Sequence, residues 1–417
     1  RVREYPALIE KGLGYFCEGE DTMDIKVQKK PAVLAYCCIL ILGAVVNIIN
    51  STLVPLSAIY ATDISQVSFF ISCLGIGRII TQLFCGPLAD RYGRKVVSLS
   101  GLVMVLIFFS LMPILKSFPA AIAVSIIGGM GFGMINTSML ALIFDCFAPT
   151  GRNSTAQNYV QLLFSMGGVI TPFVANRLLS GGLYWGFLYW GFAVYTVLLL
   201  VATIIIPFPQ RYIRKSYETD FAVKPSLLRD GLLLCTVVFF IYGSGVVSMN
   251  WVSAFAADKL GIDDTASVLI LATYNIGCVI GTIFFAQLIK RVHGTVLLIT
   301  NSAIAFVSFS ISVLAKSFPL FIVAIFVSGF VVAVTFNIGI GIGGELFSNN
   351  AATISAMISI SSALITLLTP IITGYILRQF GIRMAFSATI VLSGVAVVAA
   401  VLMRKRYSVL KGTIKAV

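Results

Sequence analysis

Twelve runs of mostly apolar residues divide the chain, at 33–59, 66–88, 96–115, 119–144, 155–179, 185–207, 230–257, 265–289, 296–315, 319–344, 353–377 and 383–403. Each is close to or longer than the roughly 20 residues, at about 1.5 Å rise apiece, that a helix needs to cross a bilayer's hydrocarbon core. Charges, Gly and Pro collect in the short gaps, and the one long polar stretch between runs is Gln210 to Arg229. The pattern predicts an all-α membrane protein with 12 transmembrane helices in two pseudo-symmetric six-helix halves, 32–208 and 230–403. A cytoplasmic linker, 209–229, would join them, with a tail at 1–31 and a basic tail at 404–417. Residues 1–22 share nothing with the rest, and Met23 reads as the natural start after an upstream extension.

The halves look like copies of one another, the mark of a membrane protein built from repeats. Lys116-Ser-Phe-Pro119 returns as Lys316-Ser-Phe-Pro319, two hundred residues on and before the same span of each half. Asp145-Cys-Phe returns as Glu345-Leu-Phe at that offset, and Thr171-Pro172 as Thr369-Pro370 two residues short of it. Three matches on equivalent spans make coincidence a poor explanation.

Composition fits: 59% of residues are hydrophobic and 11% charged, with a mean hydropathy of +1.00, values that exclude a soluble domain. The net charge of +13 raises the question of a nucleic-acid partner, but there is no soluble surface to carry one. The charge is better read as topology, because Lys and Arg resist translocation. With the N-terminus inside, nineteen fall on cytoplasmic segments and six at outer ends. Both termini are therefore expected in the cytoplasm, with the lipid bilayer as partner and no nucleic acid.

Arg78 stands apart, about midway along the second span. An arginine there costs at least about 2.5–3.5 kcal/mol and normally faces a polar cavity. It could hold an anionic group of a ligand by a forked, charge-assisted hydrogen bond, or hydrogen-bond helix carbonyls or a neighbouring amide and stiffen its half. Its repeat equivalent is Cys278, so the charge belongs to one half only. The acids are informative by their placement, since none lies near mid-depth. A proton-carrying carboxylate would have to be Asp63 or Asp258 near the outer mouth, or Asp145 or Glu345 near the inner one. The eight cysteines form no metal or redox motif and read as small apolar residues. The single histidine, His293, reads as a solvated loop residue. No cofactor or metal is expected.

Gly86-Pro-Leu-Ala-Asp90-Arg91-Tyr-Gly93-Arg94-Lys95 packs charge and glycine into the turn between the second and third spans. It resembles the signature loop of the major facilitator superfamily of secondary transporters, and the resemblance implies the fold, alternating access and a small-molecule substrate. It also implies a conformational latch. Gly86 would permit close helix approach and Gly93 a tight turn. Asp90, with Arg91 beside it, would sit at the positive N-terminal end of the eleventh helix, and Arg94 would be tied to Asp145, the acid that ends the fourth helix. Asp145 and Arg152 also share the spacing seen after the fourth helix in sugar porters. In the second half the loop reads Ala286-Gln-Leu-Ile-Lys290-Arg291-Val-His293-Gly294-Thr295. Lysine replaces the acid there, so Glu345 is expected to pair with Lys290 or Arg291 instead.

On the helices that face the cavity in that family, the polar groups are uncharged. They are Asn47 and Asn50 in the first span, Gln82 in the second, Asn136 in the fourth, and Gln157, Asn158 and Gln161 in the fifth. Tyr242, Asn250 and Trp251 lie in the seventh, Tyr274 and Asn275 in the eighth, Asn337 in the tenth, and Ser359 and Ser362 in the eleventh. Buried amides need partners; a hydroxylated or carboxylated ligand would supply them, and so would helix-to-helix bonds. Asn47 and Asn275, both near mid-depth, are the stronger candidates. Tyr242-Gly…Trp251, with Gly131–Asn136, Gly167-Gly168 and Thr171-Pro172, loosely resembles the fucose and glucose/galactose symporter branch. That branch has an acid shortly before the tryptophan, where this chain has Gly245, Val246 and Val247.

The expectation is a monomeric alternating-access carrier of a small hydrophilic metabolite, a sugar or an organic anion, in a bacterial inner membrane, with a proton or an exchanged anion as coupling partner. Multidrug efflux, and a non-transporting sensor or lipid-handling protein of the same fold, are the alternatives.

Overall fold

A computed structural model describes residues 29–147, 153–209, 223–289, 291–347 and 351–412. Twelve of its helices are long and apolar enough to span a membrane. We number them α1 (Lys29–Ser51), α2 (Phe69–Tyr92), α3 (Arg94–Leu111), α4 (Phe118–Phe147), α5 (Asn153–Ser180), α6 (Gly186–Ile205), α7 (Leu232–Leu260), α8 (Asp264–Leu288), α9 (Gly294–Leu314), α10 (Phe318–Leu346), α11 (Ala351–Phe380) and α12 (Ile382–Leu410). No strand occurs among the described residues. The side on which α1 begins and α12 ends is called the termini face below, and the opposite side the far face.

The helices depart from the predicted spans where local chemistry intervenes. The first run is broken at Thr52, and its remainder forms a separate helix, Leu53–Tyr60. Pro55 cannot donate to the Ser51 carbonyl, and the Thr52 hydroxyl donates back to Ile48 O at 2.8 Å. A short helix, Ile64–Val67, precedes α2. α10 is interrupted after Val332 and resumes at Thr335, whose hydroxyl donates to the Val332 carbonyl. α12 runs well past 403, because Arg406 and Tyr407 find partners on neighbouring helices rather than ending the helix.

The repeat is visible in the packing. In the first half α2 and α3 lie against α4, and α1 against α5; in the second α8 and α9 lie against α10, and α7 against α11. Gly129 and Gly329, two hundred residues apart, mark equivalent close approaches. A Cβ at Gly129 would lie 2.1 Å from the Leu74 carbonyl oxygen, and one at Gly329 2.1 Å from that of Tyr274. Pro172 and Pro370 sit inside the equivalent helices α5 and α11, tolerated in a bundle where neighbouring groups re-satisfy the freed carbonyls.

The halves meet along two helix pairs, α2 with α11 and α5 with α8, with a lighter contact between α1 and α7. Under the repeat α2 maps onto α8 and α5 onto α11, so the two main contacts are images of each other. Each half keeps its own apolar core: one around Phe108, Phe109 and Tyr189, the others around Leu298 and Phe309 and around Trp251 and Phe255. The surface between the halves holds Arg78 and the amides Asn47, Asn50, Asn250 and Asn275.

Candidate functional site between the halves

Arg78 occupies the middle of α2, 8% exposed. Its Nη2 donates to Ser362 Oγ on α11 at 2.8 Å, and the guanidinium lies over the Phe132 ring of α4, 4.9 Å from the centroid. With its amide turned so that both ends are satisfied, Gln82 accepts from Arg78 Nε at 3.3 Å and donates to the Ser359 carbonyl at 3.2 Å. One cation therefore ties α2 to α11 at mid-depth through three uncharged polar groups. No carboxylate pairs with it among the described residues. The arginine bridges the halves, and its hydrogen-bonding neighbours are hydroxyl and amide groups.

The second crossing carries an amide pair. Asn275 on α8 donates through Nδ2 to Asn47 Oδ1 on α1 at 3.2 Å and also to the Leu271 carbonyl at 3.0 Å. Asn47 Nδ2 donates to the Gly43 carbonyl at 2.9 Å. Both residues are nearly inaccessible. The pair fits only because α5 presents Gly168: a Cβ there would lie 2.4 Å from Asn275 Oδ1. Three residues further along α1, Asn50 Nδ2 donates to Asn250 Oδ1 on α7 at 3.3 Å. These two asparagines occupy the same place in the two repeats.

The other expected site residues divide between accessible and packed. Asn136 on α4 and Asn337 on α10 are partly exposed and have no hydrogen-bond partner among the described residues. Gln161, half-buried, donates to Ser165 at 3.4 Å, and the Tyr242 ring lies 6.1 Å from that of Phe336. Trp251 and Tyr274, expected in the site, are instead buried in the core of the second half. The Trp251 Nε1 donates to Thr373 Oγ1 of the same half at 2.7 Å, so its bulk fills the bundle. Gln157 and Asn158 have side chains outside the described residues.

At the termini face the Arg94 guanidinium forms an ion pair with Asp145 and donates to the Ala141 carbonyl at 2.8 Å. Gly93 has φ +87°, a conformation that suits glycine, in the turn from α2 to α3. Arg91 is exposed and lies over the Tyr92 ring at 5.4 Å. Gly86 and Asp90 fall in the last turns of α2; the contacts expected of the Asp90 carboxylate, and Arg152 altogether, lie outside the described residues. In the second half, Glu345 takes Tyr407 OH at 2.5 Å and Lys411 Nζ at 2.9 Å, with His293 Nε2 3.5 Å away. Tyr407 lies on α12 and Lys411 just past its end; the pairing expected of Glu345 with Lys290 falls outside the described residues. His293 is more than a loop residue: it caps α9, its Nδ1 accepting from Thr295 N at 3.2 Å, and its Nε2 lies 2.9 Å from Tyr407 OH.

Two six-helix bundles related by a repeat, meeting along a polar seam at mid-depth, define the architecture of a secondary transporter. The sequence profile of the Major Facilitator Superfamily matches residues 35–263 and 233–416, and the chain belongs to that family. It is 23% identical over 391 residues to the inner membrane transport protein YdiN of Escherichia coli, covering 92% of each chain. In structure it resembles a D-xylose-proton symporter, with a TM-score of 0.70 at 14% identity over 91% of this chain and 98% of that one. It also resembles FucP in its outward conformation, with a TM-score of 0.65 at 15% identity over 89% of this chain and 98% of that one. At these identities the structural likeness speaks for the fold alone.

Proposed function

We propose that the protein carries a small hydrophilic metabolite, a sugar or an organic anion, across a bacterial inner membrane by alternating access, with both termini in the cytoplasm. The observation that supports this most is the mid-depth seam of Arg78, Ser362, Gln82, Asn47 and Asn275, built from both halves. Each of these bonds can be exchanged for one to a hydroxyl or carboxylate at little net cost, since a ligand replaces one partner by another. A lipophilic drug that parted the seam would leave these groups buried and unpaired, at about 1–3 kcal/mol each, which makes efflux the second reading. Arg78, as the seam's ionised member, is the residue proposed to take a substrate's anionic or strongly accepting group.

The hydrogen bonds that cross the halves among the described residues run from the seam to the far face, where Arg378 Nε on α11 donates to Ser65 Oγ at 2.8 Å. Rocking would have to break that closure and re-form another at the termini face, where Asp145 and Arg94 sit. The test is uptake into proteoliposomes of labelled D-xylose, D-glucose, L-fucose, lactate and succinate, with a pH gradient and a membrane potential applied in turn. Saturable uptake of at least one, falling about tenfold or more in Arg78→Gln (about 1.4 kcal/mol per factor of ten), supports the proposal. Binding without flux would point to a sensor, and export of lipophilic cations alone to efflux.

A further inference from the structure

On the far-face side of the seam, between α1, α7, α8 and the end of α5, lies a cavity of about 590 Å³ that both halves line. Asn50 forms part of its wall and is bonded to its repeat counterpart Asn250. Both are 4% exposed. Their single bond, at 3.3 Å, is long, and it leaves Asn50 Oδ1 and Asn250 Nδ2 without a partner. A buried amide end with no partner forfeits its hydration for nothing, and here one residue leaves an acceptor and the other a donor unmet. Asn50 on the cavity wall and Asn250 behind it thus hold two unused hydrogen-bonding positions.

The rest of the lining narrows what could use them. Its one ionisable side chain is the exposed Asp258, and no Lys, Arg or His contributes. An anion is therefore disfavoured. A simple cation would be drawn to Asp258 but can only donate, which leaves Asn250 Nδ2 still unmet. A hydroxyl both donates and accepts, so neighbouring hydroxyls satisfy Asn50 and Asn250 together. The Ser253 hydroxyl on the same wall, without a partner among the described residues, and Asp258 at the rim extend the same chemistry. We propose that this cavity is a ligand site in its own right, distinct from the mid-depth seam, for a neutral polyhydroxylated solute whose adjacent hydroxyls replace the Asn50–Asn250 bond.

The test reads occupancy rather than flux, so its result is independent of whether transport is found. Ser253→Cys is introduced on the cavity wall, and its reaction with a hydrophilic maleimide is followed in purified protein in nanodiscs, with the wild type as background. Xylitol, D-xylose and D-glucose are the probes; lactate and tetramethylammonium are the charged controls. At least one polyol is expected to slow labelling about fivefold at roughly four times its Kd and to raise the melting temperature of the wild type, while neither control does so. Asn250→Asp keeps an acceptor for Asn50 Nδ2 but loses the donor, and the ratio of rates without and with polyol should fall below about two. Arg78→Gln should leave that ratio as it is. The proposal is overturned if none of the three polyols protects the cysteine, if lactate protects as well, if Asn250→Asp retains full protection, or if Arg78→Gln abolishes it.

Discussion

The two halves end differently at the termini face, although the repeat puts an acid at the end of α4 and another at the end of α10. Asp145 is almost wholly inside, its side chain 1% exposed, and its partner Arg94, 20% exposed, comes from the adjacent turn. Glu345 is 33% exposed and is held from the far end of the half, by Tyr407 of α12, by Lys411 just past that helix and by His293 at the start of α9. In the first half the corresponding end of α6 is met from α3, Lys95 Nζ donating to the Ile204 carbonyl at 2.7 Å. Among the described residues, the same backbone geometry thus carries a buried ion pair on one side and a more exposed cluster on the other. Duplication preserved what depends on close helix approach, as at Gly129 and Gly329, and released what depends on side-chain chemistry.

The difference makes graded predictions for stability, measured by thermal or denaturant unfolding in a fixed detergent. Asp145→Ala removes the acid of the ion pair with Arg94 and should destabilise the protein by about 3–5 kcal/mol, as broken buried ion pairs do. Gly129→Ala and Gly329→Ala push a methyl into a backbone carbonyl in each half, and each should cost about 1–3 kcal/mol. Their losses should agree within about 0.5 kcal/mol; a large inequality would mean that the repeat does not extend to this packing. Glu345→Gln removes the exposed counterpart of Asp145 and should cost no more than about 1 kcal/mol. If it proves as costly as Asp145→Ala, the contrast between the two ends is wrong. Asn275→Ala removes the bond to Asn47 and should cost the least, about 0.6 kcal/mol, while affecting uptake far more than stability.

Much of this was legible in the residues. Twelve apolar runs gave twelve helices, and the offset between Lys116-Ser-Phe-Pro119 and Lys316-Ser-Phe-Pro319 anticipated the paired packing of α2 with α4 and α8 with α10. Arg94 and Asp145 were paired by the loop's resemblance, and Asn47 and Asn275 stood out by depth. The rest depends on angles that a linear pattern does not carry. Trp251 was expected to face the site because it lies on a helix that faces the cavity in the resembled family, but its position on α7 turns it toward Thr373 inside the bundle. Tyr407 and Lys411 were read as part of a basic tail, since a charged run usually ends a span; burial of Tyr407 keeps the helix going to Leu410. The break at Thr52 could have been found from Pro55. The requirement for Gly168 could not, because it arises from two asparagines on other helices.

If the halves rock about the seam as proposed, the far face must open for a solute to pass. That requirement can be tested with one covalent bond. A Cβ at Gly374 on α11 would lie 4.0 Å from the Ser65 Cβ of the first half, within the range that a disulfide spans. Ser65→Cys with Gly374→Cys should close under oxidation and hold the far face shut. The account predicts that uptake into proteoliposomes then falls to background and returns when the bond is reduced, with either single variant unaffected by oxidant. Undiminished uptake by the fully oxidised double variant would contradict it.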